Sequence, residues 1–215
     1  MRHLTLTSET CNNETMNYKA FIFDMDGTLV DAQLDFYQLR RELGIEAYKP
    51  LLEEVATWPE HQKENAHRII DACEMTGAYN STLYSGVEDF LATLNEYQIP
   101  TALFTRNSRQ ATAVTLQKHR LNFDVVITRE DAPPKPEPDG LLFITQHLNI
   151  SPSQALYIGD YLYDLQAGRA ADIPTALYTP TPPTDFDPAG AQFTFSCFHQ
   201  LRRDFLDHCE SSVSR

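Results

Sequence analysis

The sequence lacks any uninterrupted apolar run of the roughly 18 residues that a membrane-spanning helix needs. Its first sixteen residues are polar, without the apolar middle of a secretory signal peptide. These two absences predict a soluble, cytoplasmic protein with no membrane partner. Of the 215 residues, 42% are hydrophobic and 11% are aromatic. So many large side chains exclude a globally disordered chain.

Basic residues are also scarce, since 17 Lys and Arg oppose 30 Asp and Glu to give a formal net charge of -13. Nucleic-acid binding is driven largely by basic side chains that displace counterions from phosphates, so this balance argues against a nucleic-acid partner. The four cysteines are scattered and form no CxxC pair; they are Cys11, Cys73, Cys197 and Cys209. Their spacing favours reduced thiols over a zinc site or a disulfide framework.

Short apolar segments rich in β-branched and aromatic residues alternate with helical patterns along most of the chain. The predicted strands are 18–23, 100–104, 123–128, 155–158 and 174–178, and the predicted helices between them are 87–97, 108–119, 139–148 and 164–171. Nearly continuous apolarity is typical of strands that are covered on both faces. We therefore predict an α/β fold with a doubly wound, parallel, Rossmann-like sheet, whose ligands bind at the carboxyl ends of the strands.

One segment interrupts this alternation. Residues 32–82 show helical patterns at 34–43, 50–58 and 60–75 but no convincing strand. We predict a small helical subdomain inserted there, with the α/β core formed by residues 17–31 and 83–215. Residues 1–16 are polar and patternless, and they are predicted to be a disordered extension or to precede a natural start at Met16.

The first predicted strand ends in Asp24-Met25-Asp26-Gly27-Thr28. Carboxylates two residues apart point the same way where a strand continues through them, and a glycine beside them lets the backbone approach an anion. Asp and Gly are equally common in turns, so this motif alone leaves a solvated turn open.

The second predicted strand ends in Thr105-Arg106-Asn107, and a helix follows. The amides at the start of a helix hold anions well, although Asn107 or Ser108 could serve simply as the cap of that helix. After the third strand, Lys135 stands among prolines, which alone indicates no more than a rigid loop with an exposed lysine.

The fourth predicted strand is followed by Asp160 and Asp164, one helical turn apart. Either carboxylate could simply stabilise the positive end of the next helix. The order of the four loops is more specific than any one of them, because all four lie at the same edge of a parallel sheet. Together they offer two carboxylates, a hydroxyl, a lysine and two more carboxylates.

This order resembles the four motifs of the haloacid dehalogenase superfamily, in the phosphoglycolate-phosphatase-like branch with a helical cap between the first and second motifs. The strings DMDGTLVD, KPEPDG and GDYLYD carry the resemblance, which runs from residue 18 to about residue 171. It implies that Asp24 is a nucleophile that forms an aspartyl-phosphate, and that Asp26 protonates the leaving alcohol and then activates water. An aspartate, with a reference pKa of about 3.9, is already anionic at neutral pH and needs no activating histidine.

The resemblance also implies a phosphate site. Thr105 would hold the phosphoryl oxygens together with the amides of Arg106 and Asn107, and Lys135 would supply positive charge. Gly27 and Thr28 are predicted to bind substrate as well. Arg106 replaces the small or polar residue that is commoner after the motif threonine, and it could reach the substrate or fold back onto a carboxylate.

The cofactor that the resemblance implies is Mg²⁺. Its expected ligands are the Asp24 carboxylate, the Asp26 carbonyl and Asp160, with Asp164 at the same site to orient Lys135 or a metal-bound water. Cations are required there, because two unit charges 4 Å apart repel by about 4 kcal/mol at an effective dielectric of 20. An all-oxygen set suits a hard ion.

The sequence thus predicts a Mg²⁺-dependent phosphomonoester hydrolase acting on a small phosphorylated metabolite, as a monomer or homodimer. A phosphosugar mutase of the β-phosphoglucomutase type would use the same residues. A non-catalytic binding protein that kept the fold and the pocket is a further alternative. The cap is expected to select the substrate, since it can close over the site and exclude water.

Overall fold

The computed structural model describes residues 18–47, 49–183 and 185–213. The predicted extension over residues 1–16 lies outside this range. The strands are β1 (Ala20–Phe23), β2 (Val30–Asp31), β3 (Thr82–Leu83), β4 (Thr101–Phe104), β5 (Val125–Ile127), β6 (Ala155–Gly159), β7 (Thr175–Tyr178) and β8 (Phe193–Phe195). Six of them form one sheet in the order β5-β4-β1-β6-β7-β8, and every neighbouring pair is parallel. The predicted α/β fold with a doubly wound parallel sheet is confirmed.

The described chain has eight α-helices, of which seven lie between strands and the last follows β8. They are α1 (Phe36–Leu43), α2 (Leu51–Ala56), α3 (Glu60–Asn80), α4 (Val87–Glu96), α5 (Arg109–His119), α6 (Asp139–His147), α7 (Leu162–Ala170) and α8 (Phe198–Val213). Over the described residues, none of these helices has the length and apolarity to cross a bilayer.

Burial on both faces explains why the strands are apolar throughout. All four residues of β1 are buried, and their side chains alternate between the two faces of the sheet. Phe21 and Phe23 pack into one core cluster, where the Phe21 ring lies 5.6 Å from that of Phe90 on α4. Ile22 packs into the other cluster, with Ile144 of α6. The charged residues of the motifs therefore lie beyond the ends of the strands and not on the covered faces of the sheet.

Helices α1 to α3 lie within residues 32–82 and share a small core of their own, which includes Leu39, Val55 and Ile70. Helix α3 continues to Asn80, five residues beyond the predicted end. Gly77 weakens the helical signal there. The glycine lets α3 lie close to the preceding segment, because a Cβ at this position would lie 2.6 Å from Leu34 Cδ2 and 3.2 Å from the Ala32 carbonyl oxygen.

Strands β2 and β3 form a two-stranded antiparallel ribbon where the chain leaves and re-enters the sheet domain. Val30 pairs with Leu83 and Asp31 pairs with Thr82. The amino-acid sequence does not predict this ribbon, because strands of two residues are too short to show a periodic pattern.

Candidate active site

The carboxyl ends of adjacent strands bring the polar motifs together. Strand β1 lies between β4 and β6, so Asp24, Thr105 and Asp160, which follow these three strands, meet at one edge of the sheet. Lys135 lies in the loop between β5 and α6 and reaches the same edge. The folding pattern thus assembles residues that are far apart in the chain.

Lys135 is the centre of this cluster. Its side chain is only 3% exposed, and its ammonium contacts Asp24 Oδ1 and lies 2.7 Å from Asp164 Oδ1. Burial opposes the charged form of Lys135, but the carboxylates of Asp164 and Asp24 outweigh it and raise the lysine pKa. The ammonium is therefore a fixed positive charge beside the carboxylate of Asp24.

Asp164 is saturated with hydrogen bonds. Its Oδ1 accepts from Lys135 and from the Tyr157 hydroxyl at 2.6 Å, and its Oδ2 accepts from the amides of Asp160 and Tyr161 at 3.2 and 3.0 Å. Burial alone would raise the pKa of Asp164, but the Lys135 ammonium and these donors hold it below its ordinary value. Four donors use the roughly four acceptor sites of a carboxylate, which favours a role in orienting Lys135. Sequence reasoning missed Tyr157, whose place in an apolar strand gives no signal.

The two aspartates of the first motif have raised pKa values. Burial raises the pKa of Asp24 to about 6, against the opposing effect of the Lys135 ammonium. Burial and then the negative charge of Asp24 raise the pKa of Asp26 to about 7. The Asp26 carboxyl accepts a 2.6 Å hydrogen bond from Asn107 Nδ2, which fixes its orientation. A carboxyl group of this kind can both donate and accept a proton near neutral pH.

Three carboxylates lie close enough together to share a cation, but the oxygens of one of them, Asp164, already accept four hydrogen bonds. Asp24, Asp160 and Asp164 each offer an oxygen within 4.8 Å of the other two. Burial and then the charges of Asp164 and Asp24 raise the pKa of Asp160 well above its usual range. Because one ammonium faces three carboxylates, the cluster has excess negative charge, and its oxygen donors fit a hard divalent ion such as Mg²⁺.

Gly27 and Thr28 lie beside Asp160 rather than on the wall of the cavity. The Thr28 hydroxyl donates to Asp160 Oδ1 at 3.2 Å. Gly27 has a positive φ of 84°, and a Cβ there would lie 2.2 Å from Asp160 Oδ2. Both residues were predicted to bind substrate, and the structure places them where they position the Asp160 carboxylate.

The other predicted phosphate-site residues do line the cavity. Thr105 is buried, and its hydroxyl accepts the Asn107 amide hydrogen at 3.2 Å. Thr105 and Asn107 thus lie on one turn between β4 and α5, next to both aspartates of the first motif.

Arg106 folds back onto a carboxylate of the inserted segment, one of the two possibilities that the sequence leaves open. Its Nη2 lies 3.0 and 2.9 Å from the two carboxylate oxygens of Glu53 on α2, and Nη1 donates to the carbonyl of Lys135. The guanidinium also stacks 4.7 Å from the Tyr163 ring centroid. Arg106 therefore connects the Lys135 loop to helix α2.

A second link to the inserted helices was not apparent from the sequence. Arg129, in the loop after β5, contacts both Asp71 and Glu74 of α3. Glu74 is buried, and its Oε2 accepts the amide hydrogen of Ser108 at 2.9 Å. These partners are far apart in the chain, so no local pattern reveals them.

A cavity of about 450 Å³ lies between these groups and the inserted helices. The catalytic candidates Asp24, Asp26, Thr105 and Lys135 line the cavity, and we call this part its floor. Residues of α1, α2 and α3 and of the segment before α1 also line it, and we call this part its wall. The size is suitable for a small molecule.

The sequence model of the haloacid dehalogenase-like hydrolases matches residues 18–172. The chain belongs to this family. A haloacid dehalogenase-like hydrolase domain-containing protein of Arabidopsis thaliana is 30% identical over 207 residues, covering 89% of this chain and 84% of that protein. A phosphoglycolate phosphatase of Pseudomonas putida is 28% identical and covers 71% of this chain and 66% of its own length.

The fold agrees with a solved structure of a haloacid dehalogenase-like hydrolase from Bacteroides fragilis. The two chains superpose with a TM-score of 0.73 at 24% identity, over 86% of this chain and 99% of the other. The predicted membership of the haloacid dehalogenase superfamily is confirmed, and the family match covers all four motifs. We refer to the inserted helices α1 to α3 of this hydrolase as its cap.

Proposed function

We propose that this hydrolase is a Mg²⁺-dependent phosphomonoesterase that acts on a small phosphorylated metabolite through an aspartyl-phosphate. The observation that carries the proposal is the Asp24 carboxylate, held against the Lys135 ammonium on the floor of the cavity and within reach of Asp160. The name of the Pseudomonas putida relative, phosphoglycolate phosphatase, supports phosphate-ester chemistry. Small phosphorylated metabolites and reduced thiols are both typical of the cytoplasm, where we place the protein.

In the first step an oxygen of Asp24 attacks phosphorus, and the bond from phosphorus to the ester oxygen breaks. The leaving oxygen takes a proton from Asp26. In the second step water attacks the phosphorus of the aspartyl-phosphate and Asp26 takes the water's proton. The bond between phosphorus and the Asp24 oxygen breaks, which restores the Asp24 carboxylate and releases inorganic phosphate. One carboxyl group can serve both steps because its pKa lies near 7.

The remaining residues hold charge and geometry. Lys135 offsets the negative charge that gathers on the phosphoryl oxygens, and Asp164 keeps its ammonium in place. Thr105 and the amides that follow it would donate to the same oxygens, at the start of helix α5 where the helix dipole favours an anion.

Mg²⁺ would be held by the carboxylates of Asp24 and Asp160 and by the backbone carbonyl of Asp26. When bound, it would neutralise phosphate charge that one lysine cannot balance alone. Thr28 and Gly27 act on this ion indirectly, because they fix the position of the Asp160 carboxylate.

The proposal is tested by measuring phosphate release from para-nitrophenyl phosphate by the purified protein. We expect activity with Mg²⁺, loss of activity with excess chelator, and recovery when Mg²⁺ is restored. Asp160→Asn should need a much higher Mg²⁺ concentration for half-maximal activity. Activity that persists unchanged in chelator would contradict the role of the ion, and failure to release phosphate from any ester would contradict the proposed function.

Gly27→Ala is expected to lower kcat/KM for phosphate release by about 100-fold, because a displacement of about 1 Å in a catalytic group costs roughly that factor. The new Cβ would collide with Asp160, and the Mg²⁺ requirement should rise in parallel.

Gly44→Ala is the matched control for Gly27→Ala. Gly44 also has a positive φ, of 70°, but among the described residues other than its chain neighbours no atom lies within 4 Å of a Cβ placed there. Both variants should lose about 1–2 kcal/mol of stability from backbone strain, whereas Gly44→Ala should keep its kcat/KM. An equal loss of activity in the two variants would show that strain, and not the contact with Asp160, is responsible.

A further inference from the structure

The cap and the segment leading into it present a largely apolar wall to the catalytic floor. Seven apolar or weakly polar side chains of residues 32–82 line the cavity; they are Leu34, Phe36, Leu39, Leu51, Leu52, Ile70 and Cys73. This wall faces the site where the leaving group of a phosphate ester would lie, because the phosphoryl group belongs beside Asp24 and Lys135.

Part of this apolar surface remains available to a ligand. Leu39, Leu51 and Ile70 are buried in the core of the cap itself. In contrast, Leu34 and Leu52 are only half-buried, and Phe36 remains 48% exposed. Covering such side chains with an apolar group of a ligand stabilises the complex, because it removes apolar surface from water.

The polar groups near this wall are largely engaged with protein partners. Glu74 binds Arg129 and the Ser108 amide, and Arg106 binds Glu53. A polyhydroxyl leaving group would therefore lose water without gaining matching hydrogen bonds, which is costly.

Arg40 and Tyr161 also line the cavity, and their polar atoms likewise bind protein partners. Arg40 donates to the carbonyls of Lys49 and Phe36 at 3.2 and 3.4 Å. The Tyr161 hydroxyl donates to Asp185 at 3.1 Å.

We infer that the cap selects phosphate monoesters whose leaving alcohol is largely apolar, with an alkyl or aryl body, over the phosphates of sugars and other polyols. This inference rests on the proposed phosphomonoesterase function and specifies its substrate class. The apolar body packs against Leu34, Phe36 and Leu52 while the phosphoryl group contacts the floor. A phosphosugar mutase would need the opposite kind of wall.

The test is a homologous series of alkyl phosphates from ethyl to hexyl, compared with glycerol phosphate and a hexose phosphate. We expect kcat/KM to rise by about three- to fourfold per added methylene until the cavity is filled, as expected for burial of a CH₂ group. The polyol esters should react at least about tenfold more slowly than alkyl esters with the same number of carbon atoms.

Two cap leucines provide a matched pair of variants. Leu52 and Leu43 are both half-buried and both pack on the cap core, but of the two only Leu52 lines the cavity. Leu52→Asn should flatten the dependence of kcat/KM on chain length, whereas Leu43→Asn should leave it as in the parent protein. If Leu52→Asn folds poorly, Phe36→Ser at the exposed edge of the wall makes the same test.

Binding of non-hydrolysable alkyl phosphonates gives a second readout that does not depend on turnover. Calorimetry should show affinity rising with chain length and a negative heat-capacity change, the mark of apolar burial. Rates and affinities independent of chain length, or faster reaction of the polyol esters, would overturn the inference while leaving phosphomonoesterase activity in place. The absence of phosphate release from every ester would overturn both.

Discussion

Replacing Asp24 with asparagine is expected to lower kcat for phosphate release by about four or more orders of magnitude. The amide has almost the shape of the carboxylate but is a poor nucleophile, so the covalent route closes. Asp24 is buried just after β1, and its backbone N–H donates to the Ile158 carbonyl at 2.8 Å. The position of the backbone should therefore survive the change. Steady-state kinetics with para-nitrophenyl phosphate measures the loss, and circular dichroism checks the fold.

Asp26→Asn is the comparison that separates the two carboxylates. It should lower kcat/KM, which reports the step that expels the leaving alcohol, by about 10²- to 10⁴-fold for esters of poorly acidic alcohols, because a general acid contributes about that much. The loss should be smaller for para-nitrophenyl phosphate, whose leaving group needs little protonation. If Asp24→Asn retained more than a tenth of the activity, or showed the same dependence on the leaving group as Asp26→Asn, the assignment of Asp24 as nucleophile would be wrong.

Replacing Lys135 with methionine is expected to destabilise the protein by about 3–5 kcal/mol and to abolish activity. Removing one partner from a buried ion pair leaves uncompensated charge behind, and that residual charge is the main source of the loss. The ammonium is buried against both Asp24 and Asp164, so the variant would hold two unpaired carboxylates. Urea unfolding monitored by fluorescence measures the change.

A second substitution tests this explanation of the Lys135→Met effect. Adding Asp164→Asn should recover part of the lost stability, because it removes one of the unpaired charges. Lys63→Met is a suitable control, since Lys63 pairs with a highly exposed Glu60, and it should change stability by less than about 1 kcal/mol. Full stability of Lys135→Met would contradict the electrostatic account.

The free energy of unfolding that Lys135→Met loses should depend on pH in a definite direction. Burial raises the pKa of Asp24 even beside the lysine, and it should raise that pKa further once the ammonium is gone. A carboxyl whose pKa is raised on folding binds a proton more readily in the folded than in the unfolded state, so a fall in pH stabilises the folded variant. The difference in free energy of unfolding between the parent protein and Lys135→Met should therefore shrink as pH falls from about 7 to about 5. A difference that grew over this range would indicate another cause.

The parallel sheet could be predicted because its strands are buried on both faces and hence nearly uniform in apolarity. Phe21, Ile22 and Phe23 show this directly, since they occupy two different core clusters. The β2–β3 ribbon could not be predicted, because a pairing of Val30 with Leu83 is a property of the folded chain. The predicted end of helix α3 falls short of Asn80 because Gly77, a poor helix former, weakens the helical signal there.

The polar residues of the site could be predicted from their place at strand ends, whereas their partners could not. Nothing local to Arg106 indicates that it binds Glu53, and nothing in an apolar strand marks Tyr157 as a donor to Asp164. The structure also changes the interpretation of Thr28, which contacts the Asp160 carboxylate instead of lining the cavity. Long-range hydrogen bonds depend on the three-dimensional packing, and sequence spacing carries no information about them.

The most direct test of the central claim is to trap the phosphorylated protein. The reaction is quenched with acid during turnover, and borohydride then reduces an aspartyl-phosphate to homoserine at the residue that carried it. Mass spectrometry of peptides locates the homoserine. The account predicts homoserine at position 24 and nowhere else, dependent on both substrate and Mg²⁺. Homoserine at position 26 or 160, or steady release of phosphate with no modified aspartate, would contradict it.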